Sequence, residues 1–211
     1  MTFKLARDIN LKSIANFTPI GNSSNPFTGV FDGNGRKISN LTINTDKDNA
    51  GLFGNVRVGT IKNLNLLNAK VASSGRYAGA LVGYIVSSGF QIENCNVIST
   101  VKSFTNTGGG LVGSLGKNSS IKNCVVISSV EGGNGVVGSR NGITRDNVLI
   151  SDAPDNTGSE RYYALNVPTG VNVQLKNSGD EAYKAFDGKT YYRAGTELQI
   201  VPGASYKKFT I

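Results

Sequence analysis

One short segment recurs along this chain, and its repetition limits the possible folds more than any other feature. Each full copy begins with isoleucine, has asparagine two positions later and ends on an apolar residue. The copies are residues 38–43, 61–66, 92–97, 121–126 and a diverged copy at 144–149, so the segment returns every 23 to 31 residues. A repeat of this length is typical of solenoids, in which successive turns of the chain stack on one another.

A second element lies between the copies, at residues 51–54, 80–83, 110–113 and 135–138, and ends each time on two apolar residues and a glycine. Glycine permits close backbone approach because it has no Cβ atom. The 211 residues include 27 glycines and no tryptophan, and no segment shows the 3.6-residue periodicity of a long amphipathic helix. We therefore predict an all-β fold, a right-handed parallel β-helix followed by a small β-rich module.

Alternation within one copy predicts which side chains face the core. In residues 61–66 the apolar side chains point inward, Lys62 points outward and Asn63 lies at a bend. Stacking at about 4.8 Å per turn aligns equivalent residues of successive turns. The predicted columns are Ile38/Ile61/Ile92/Ile121, Leu41/Leu64/Cys95/Cys124, Ile43/Leu66/Val97/Val126/Leu149 and a corner ladder of Asn40/Asn63/Asn94/Asn123.

Two further expectations follow from these columns. Cys95 and Cys124 fall in an inward column, and we expect two buried thiols because parallel Cβ vectors fit disulfide geometry poorly; a disulfide stays the alternative. The outward position next to each bend reads Ser39, Lys62, Glu93, Lys122 and Arg145 in successive turns. Since like charges one strand apart repel, we expect Glu93 to bridge Lys62 and Lys122.

These motifs resemble a known family. Residues 17–21 (Phe-Thr-Pro-Ile-Gly), 26–35, 38–43 and the Gly-Leu-Phe-Gly and Gly-Leu-Val-Gly elements are similar to the GLUG-motif repeat regions of large bacterial surface proteins, adhesins and IgA-protease-like proteins. The resemblance covers roughly residues 3 to 151. It implies a β-helical scaffold in a fragment of a larger secreted protein, at the cell surface or outside the cell, with the family's activities usually in other domains. The diverged last copy then corresponds to a terminal cap.

The composition changes after the last copy. We predict a parallel β-helix over 1–152, a linker over 153–160 and a small β module over 161–211, which holds six of the eight tyrosines. Residues 188–200 resemble the small β-rich repeat modules of bacterial surface proteins. The predicted strands of the module are 162–167, 171–175, 189–192, 197–201 and 206–211.

The chain contains no histidine, which excludes Ser-His-Asp, Cys-His and His-ligated metal sites. We expect no catalytic residue, no metal site and no cofactor, because none of the acids pairs with another in the predicted stack. The tight turn at 32–35 and the solvated turn at 46–49 account for Asp32, Asp46 and Asp48. The alternative function is a carbohydrate-active β-helix enzyme, either a polysaccharide lyase or a glycosidase, which needs two or more acids in one cleft.

The favoured function is a non-enzymatic structural and adhesive segment, with glycans or host extracellular proteins as partners. The predicted ligand-binding residues are Tyr162, Tyr163, Tyr191 and Tyr192, because alternation in a strand turns one ring of each pair to either face. The net charge of +8 is spread over single basic residues, which suits anionic surfaces better than a nucleic-acid groove. No apolar run has the length of a membrane span or a signal peptide, so we expect no membrane insertion by this segment.

Overall fold

The computed structural model describes residues 1–86, 89–140, 142–145, 147–150, 160–164, 172–175, 182–184, 186, 188–193, 197–201 and 209–210. These residues form strands, turns and bends, and none of them lies in a helix. The chain forms two compact units, Met1–Ser159 and Glu160–Ile211. The first is a parallel β-solenoid of about five turns, which confirms the predicted fold. The linker predicted over 153–160 lies outside the described residues except for Glu160.

The solenoid is built from short strands that alternate with bends. They are β1 (Thr2–Lys4), β2 (Ile9–Asn10), β3 (Phe27–Asp32), β4 (Lys37–Ser39), β5 (Thr42–Thr45), β6 (Phe53–Lys62), β7 (Asn65–Ser73), β8 (Ala78–Gly79), β9 (Val82–Ile85), β10 (Gln91–Glu93), β11 (Asn96–Ser103), β12 (Gly108–Gly109), β13 (Val112–Leu115), β14 (Ser120–Lys122), β15 (Val125–Glu131), β16 (Gly133–Asn134), β17 (Val137–Arg140), β18 (Ile143–Arg145) and β19 (Val148–Ile150).

Equivalent strands of successive turns pair in parallel and build the faces of the solenoid. One face joins the first half of β6 to β9, β13 and β17, and the next joins β1, β3, the second half of β6, β10, β14 and β18. A third face runs through β2, β4, β7, β11, β15 and β19, with β5 also paired to β7. The short strands β8, β12 and β16 form a small separate sheet.

The core consists of apolar columns that run along the stack. Ile92 lies in register between Ile61 and Ile121, and all three side chains are fully buried. These contacts confirm the central part of the first predicted column. Two further columns, both in register, are Leu66/Val97/Val126/Leu149 and Phe53/Val82/Val112/Val137.

The predicted place of the first copy in these columns is wrong. Phe31 lies beside Ile61, whereas Ile38 lies beside Leu66. Ile43 lies beside Val71 and not beside Leu66, its predicted neighbour. Residues 38–43 therefore correspond to residues 66–71, and β3 supplies the strand that corresponds to the second half of β6.

The same shift moves the other residues of that copy. Leu41 accepts a backbone hydrogen bond from Lys70 and is buried, so it belongs beside Ala69 and not beside Leu64. Asn40 has a left-handed φ of 60° and corresponds to Asn68, whose φ is 56°. Two different bends of one turn thus need asparagine, and their similar sequences cause the misassignment.

The asparagine ladder forms at the other bend. Asn63, Asn94 and Asn123 have φ values of 53°, 52° and 51°. The Asn94 side chain donates to Asn63 Oδ1 at 3.4 Å, and Asn63 Nδ2 donates to Asp32 Oδ1 at 3.1 Å. The ladder therefore continues to Asp32, while Asn40 lies outside it and donates to Asn10 Oδ1 at 2.9 Å.

The glycines of the second repeated element are required by close packing between turns. A Cβ atom on Gly113 would lie 2.5 Å from the Gly83 carbonyl oxygen, and one on Gly83 would lie 2.3 Å from the Asn49 carbonyl carbon. Real Cβ atoms do not approach a backbone this closely, so a side chain at either position would push two turns apart.

The diverged last copy closes the Cys95/Cys124 column with a polar side chain. Asn147 is only 2% exposed. Its Oδ1 accepts from the Cys124 backbone N–H at 2.9 Å, and its Nδ2 donates to the Ile121 carbonyl at 3.2 Å. Asn147 thus satisfies two backbone groups of the preceding turn at the bend between β18 and β19.

The second unit consists of antiparallel strands. They are β20 (Glu160–Ala164), β21 (Asn172–Leu175), β22 (Ala182–Lys184), β23 (Thr190–Arg193), β24 (Glu197–Val201) and β25 (Phe209–Thr210). β23 lies between β20 and β22, and β24 lies between β21 and β25. Each predicted segment overlaps a strand, whereas β22 was missed because Ala182–Lys184 is too short to show alternation.

Candidate functional site

A column of charged residues runs along the outside of the solenoid. In register, it reads Lys4, Asp32, Lys62, Glu93, Lys122 and Arg145. The prediction had Ser39 in the place that Asp32 occupies, and the shift of the first copy explains the error. Because adjacent strands lie about 4.8 Å apart, the alternation of sign from Lys4 to Lys122 avoids like charges in neighbouring turns.

Asp32 is a residue of this column whose carboxylate accepts two hydrogen bonds. Hydrogen bonds from the Asn34 backbone N–H at 2.8 Å and the Asn63 amide hold its pKa below the usual value, and Lys62 and Lys4 act in the same direction. Partial burial opposes these effects by raising the pKa. The bond from Asn34, whose φ is 54°, also confirms the tight turn predicted over 32–35.

Glu93 lies between Lys62 and Lys122 as predicted, but it forms no direct ion pair with either lysine. The expected bridge is therefore wrong in this structure. A solvated pair gains little Coulomb energy and loses side-chain entropy, so register alone does not bring the charged atoms together. Among the described residues, the ion pair that forms joins Lys102 Nζ and Glu131 Oε1 at 2.9 Å, on the neighbouring face.

The two cysteines are free and buried, which confirms the expectation of two thiols. Cys95 Sγ donates to the Glu93 carbonyl at 3.3 Å, and Cys124 Sγ donates to the Lys122 carbonyl at 3.2 Å. The neighbouring Cys124 thiol and burial raise the pKa of Cys95 well above its usual value. Cys95 is therefore a neutral core side chain and a poor nucleophile.

Within the part of the chain that the structure describes, no group of three or more Cys, Asp or Glu residues is arranged to hold a metal ion. In the same residues, no helix is long and apolar enough to cross a membrane.

The predicted tyrosines lie on two neighbouring strands of the second unit. Tyr163 on β20 pairs directly with Tyr192 on β23, and Tyr162 pairs with Arg193. Tyr191 is 3% exposed and lies opposite Tyr183 of β22, while Tyr192 is half-buried. Tyr192 is therefore the member of the Tyr191–Tyr192 pair that reaches solvent. The structure describes the backbone of Tyr162 and Tyr163 but not their side chains.

Sequence reasoning missed the two tyrosines of the solenoid. The rings of Tyr77 and Tyr84 are stacked, with centroids 5.1 Å apart and planes 12° from parallel. Both residues are half-buried, and the Arg76 guanidinium lies 5.7 Å from the Tyr77 ring centroid. A half-buried aromatic pair with a cation beside it is a recognised contact surface for ligands.

The Tyr77 backbone is also unusual. Its φ of 62° lies in the left-handed region, which bulky side chains rarely adopt because the conformation costs about 1–2 kcal/mol. The equivalent residue of the previous turn, Asn49, has a φ of 66°, as the bend requires. No sequence rule places tyrosine at such a bend, so only the structure reveals the pair.

The chain is similar to parts of two much larger proteins. It is 37% identical over 108 residues to halomucin of Haloquadratum walsbyi, a match that covers 49% of this chain and 1% of halomucin. It is 35% identical over 103 residues to a protein described as a Gly-rich membrane protein of Evansella cellulosilytica, which covers 45% of this chain and 12% of that protein. No protein-family profile and no solved structure matches the chain. The names of these relatives are compatible with a structural segment of a surface protein.

Proposed function

We propose that this chain is a non-enzymatic structural and adhesive segment of an extracellular cell-surface protein of the GLUG-repeat kind. In this role the solenoid serves as a stiff spacer, and exposed side chains bind glycans or host extracellular proteins. The observation that carries the proposal is the uninterrupted stack itself. Residues such as Ile92 and Val97 lie between equivalent apolar residues of both neighbouring turns, so the strands and columns form one continuous body.

Two other observations support the proposal. The relatives named halomucin and Gly-rich membrane protein contain a stretch similar to this chain within far longer sequences, as expected of a segment that is joined to other parts. The acids of the outer column, Asp32 and Glu93, alternate with lysines and do not face one another. Hydrolysis or elimination by paired carboxylates needs two acids across one bond of the substrate.

The test is binding of the full chain to a glycan array and to immobilised collagen and fibronectin. We expect saturable binding to at least one of these, reduced by Tyr192→Ala. The control is Phe104→Ala, which removes a ring that is 63% exposed on the solenoid and reports non-specific adhesion. Absence of saturable binding would leave a pure spacer, and polysaccharide turnover that Asp32→Asn abolishes would contradict the non-enzymatic assignment.

A further inference from the structure

A polar groove of about 400 Å³ opens on the solenoid close to its first turns. Its walls come from residues within 18–23, the bend within 45–50, and Asn55 on β6. The volume lies within the range of small-molecule sites, which begins at about 300 Å³. Neither the outer charged column nor the tyrosines of the second unit contribute to this groove.

Asn55 is the residue that distinguishes the groove from an ordinary surface depression. It is only 4% exposed, and its backbone N–H donates to the Gly21 carbonyl at 3.2 Å. Its side-chain amide makes no hydrogen bond with any described residue. Burying such a group without a partner costs about 1–3 kcal/mol, and buried amides are normally bonded.

Two other asparagines of the solenoid, one buried and one half-buried, show the usual behaviour. Asn147 uses both amide atoms, as described above, and Asn65 donates to the Gly35 carbonyl at 2.9 Å and accepts from Asn96 at 2.8 Å. The amides of both asparagines are therefore satisfied within the stack. Asn55, by contrast, keeps a donor and an acceptor that no described residue uses, at the wall of a groove.

An aromatic wall stands beside this amide. Tyr84 lies directly opposite Asn55 in the next turn, and its ring stacks on Tyr77. Tyr77 is held at its unfavourable φ by a hydrogen bond from its N–H to Thr107 Oγ1 at 2.9 Å and by one from Ala50 to its carbonyl at 3.0 Å. The ring pair does not line the groove, but Tyr84 is the strand neighbour of Asn55, which does.

Charges in the groove are balanced. Lys47 and Asp48 both line it, and both are exposed. Asp48 Oδ1 accepts from the Arg76 backbone N–H at 2.7 Å, which fixes the carboxylate at the rim. The other carboxylate oxygen makes no hydrogen bond with a described residue and is available to a ligand hydroxyl group.

We propose that this groove binds a neutral pyranose of a glycan. Sugar hydroxyl groups both donate and accept, which matches the amide of Asn55 and the carboxylate of Asp48. The apolar C–H face of a pyranose packs on aromatic rings, and a sugar bound at Asn55 that extends towards the next turn would meet Tyr84. One cation and one anion side by side favour a neutral sugar over a uronic acid. This site would specify the class of ligand for the proposed adhesive function. Its biological role rests on that proposed function.

The experiment titrates the isotope-labelled full chain with the methyl glycosides of galactose, N-acetylglucosamine and glucuronic acid, and follows the Asn55 side-chain amide by NMR. We expect a neutral sugar to shift this signal saturably. Asn55→Ala should weaken binding about tenfold, the effect of losing one net hydrogen bond of roughly 1.4 kcal/mol. Tyr84→Ala should weaken it as well.

Melting temperatures separate a binding residue from a structural one. Asn55→Ala should leave the melting temperature unchanged or raise it, because it removes an unpaired buried amide. The matched control, Asn65→Ala, should lower the melting temperature and leave sugar binding unchanged, since Asn65 is fully bonded within the stack.

Three results would overturn the proposal. The first is no shift at Asn55 with any of the three glycosides. The second is a melting temperature lowered by Asn55→Ala as much as by Asn65→Ala, which would show that a bound water satisfies the amide for the sake of the fold. The third is tighter binding of the glucuronide than of either neutral sugar. If array binding survives Asn55→Ala but is lost in Tyr192→Ala, the adhesive function stands and its site lies in the second unit.

Discussion

The first turn and the central turns of the solenoid use similar strands but bury them very differently. Every residue of β1 and β2 is exposed, including Phe3 at 40% and Ile9 at 36%. In β10 and β11 the inward residues Ile92 and Val97 have no exposed surface. Apolar residues of these central strands, with a turn on both sides, are therefore fully buried, whereas those of the first strands stay exposed, so the energetic weight of such a residue depends on its place in the stack.

The strongest test of this difference places the same charge in both regions. Ile92→Asp should prevent folding, because an unpaired carboxylate between Ile61 and Ile121 costs several kcal/mol. Ile9→Asp should cost less than about 1 kcal/mol, as is usual for exposed positions. Urea unfolding followed by circular dichroism compares the two, and Ile92→Val, expected to cost about 0.5–1.5 kcal/mol, controls for the position. Equal midpoints for the two aspartate variants would show that the stacking register is wrong.

The other end of the stack gives the next largest effect. Asn147→Ala removes the bonds to the Cys124 N–H and the Ile121 carbonyl and should destabilise the chain by about 1–3 kcal/mol. Asn16→Ala removes bonds to the exposed Asn44 near the first turn and should cost less than half as much. Thermal unfolding measures both. If Asn147→Ala destabilised the chain no more than Asn16→Ala does, the two hydrogen bonds of Asn147 would not be what holds the last turn in place.

A pH titration sharpens the comparison within the outer column. The folded pKa of Asp32 is lowered, so the unfolded chain binds its proton more tightly and the carboxylate stabilises the fold above the unfolded value near 3.8. This contribution is lost as pH falls through the lower, folded pKa. The stability difference between the parent and Asp32→Asn should be roughly 1 kcal/mol or less at pH 6, since the site is solvated, should shrink as the pH falls below 3.8 and should vanish below the folded pKa. A difference that grows on acidification would reverse the assigned sign.

The smallest effect concerns Glu93, in the central turns of the same column. Glu93→Gln should cost about 0.2–1 kcal/mol, and Glu93→Lys should cost more because it sets three like charges one strand apart. The difference between the variants should shrink as the salt concentration approaches 1 M, where the screening length is about 3 Å. Guanidinium would itself screen these charges, so urea is the denaturant. A difference that is independent of salt would point to packing and not to charge.

The sequence predicts the central turns well because their repeats differ little. Ile61, Ile92 and Ile121 share residue type and spacing to the following bend, and stacking in register buries all three. The prediction from sequence is wrong for the first copy because Ile38 and Ile61 precede different bends, and both bends need a left-handed asparagine. Local patterns specify a bend but not which bend of the turn it is.

The candidate site could not be predicted for a different reason. Asn55 matters because its amide has no hydrogen-bond partner among the residues that the structure describes, and this depends on every neighbour that packs around it. Tyr77 occupies a conformation that its own preferences oppose, so a rule based on residue type assigns asparagine or glycine there. The amide of Asn55 and the backbone of Tyr77 both depart from what their residue types prefer, and only the structure of the surrounding turns reveals this.

Alternation of charge from Lys4 to Lys122 imposes a parity rule on the length of the solenoid. Duplication of one turn would set two like charges one strand apart, whereas duplication of two neighbouring turns would preserve the alternation. The same holds for deletions, so the alternation repeats every two turns although the structural repeat is one turn. Beyond Lys122 the column continues with Arg145, and the rule no longer applies there.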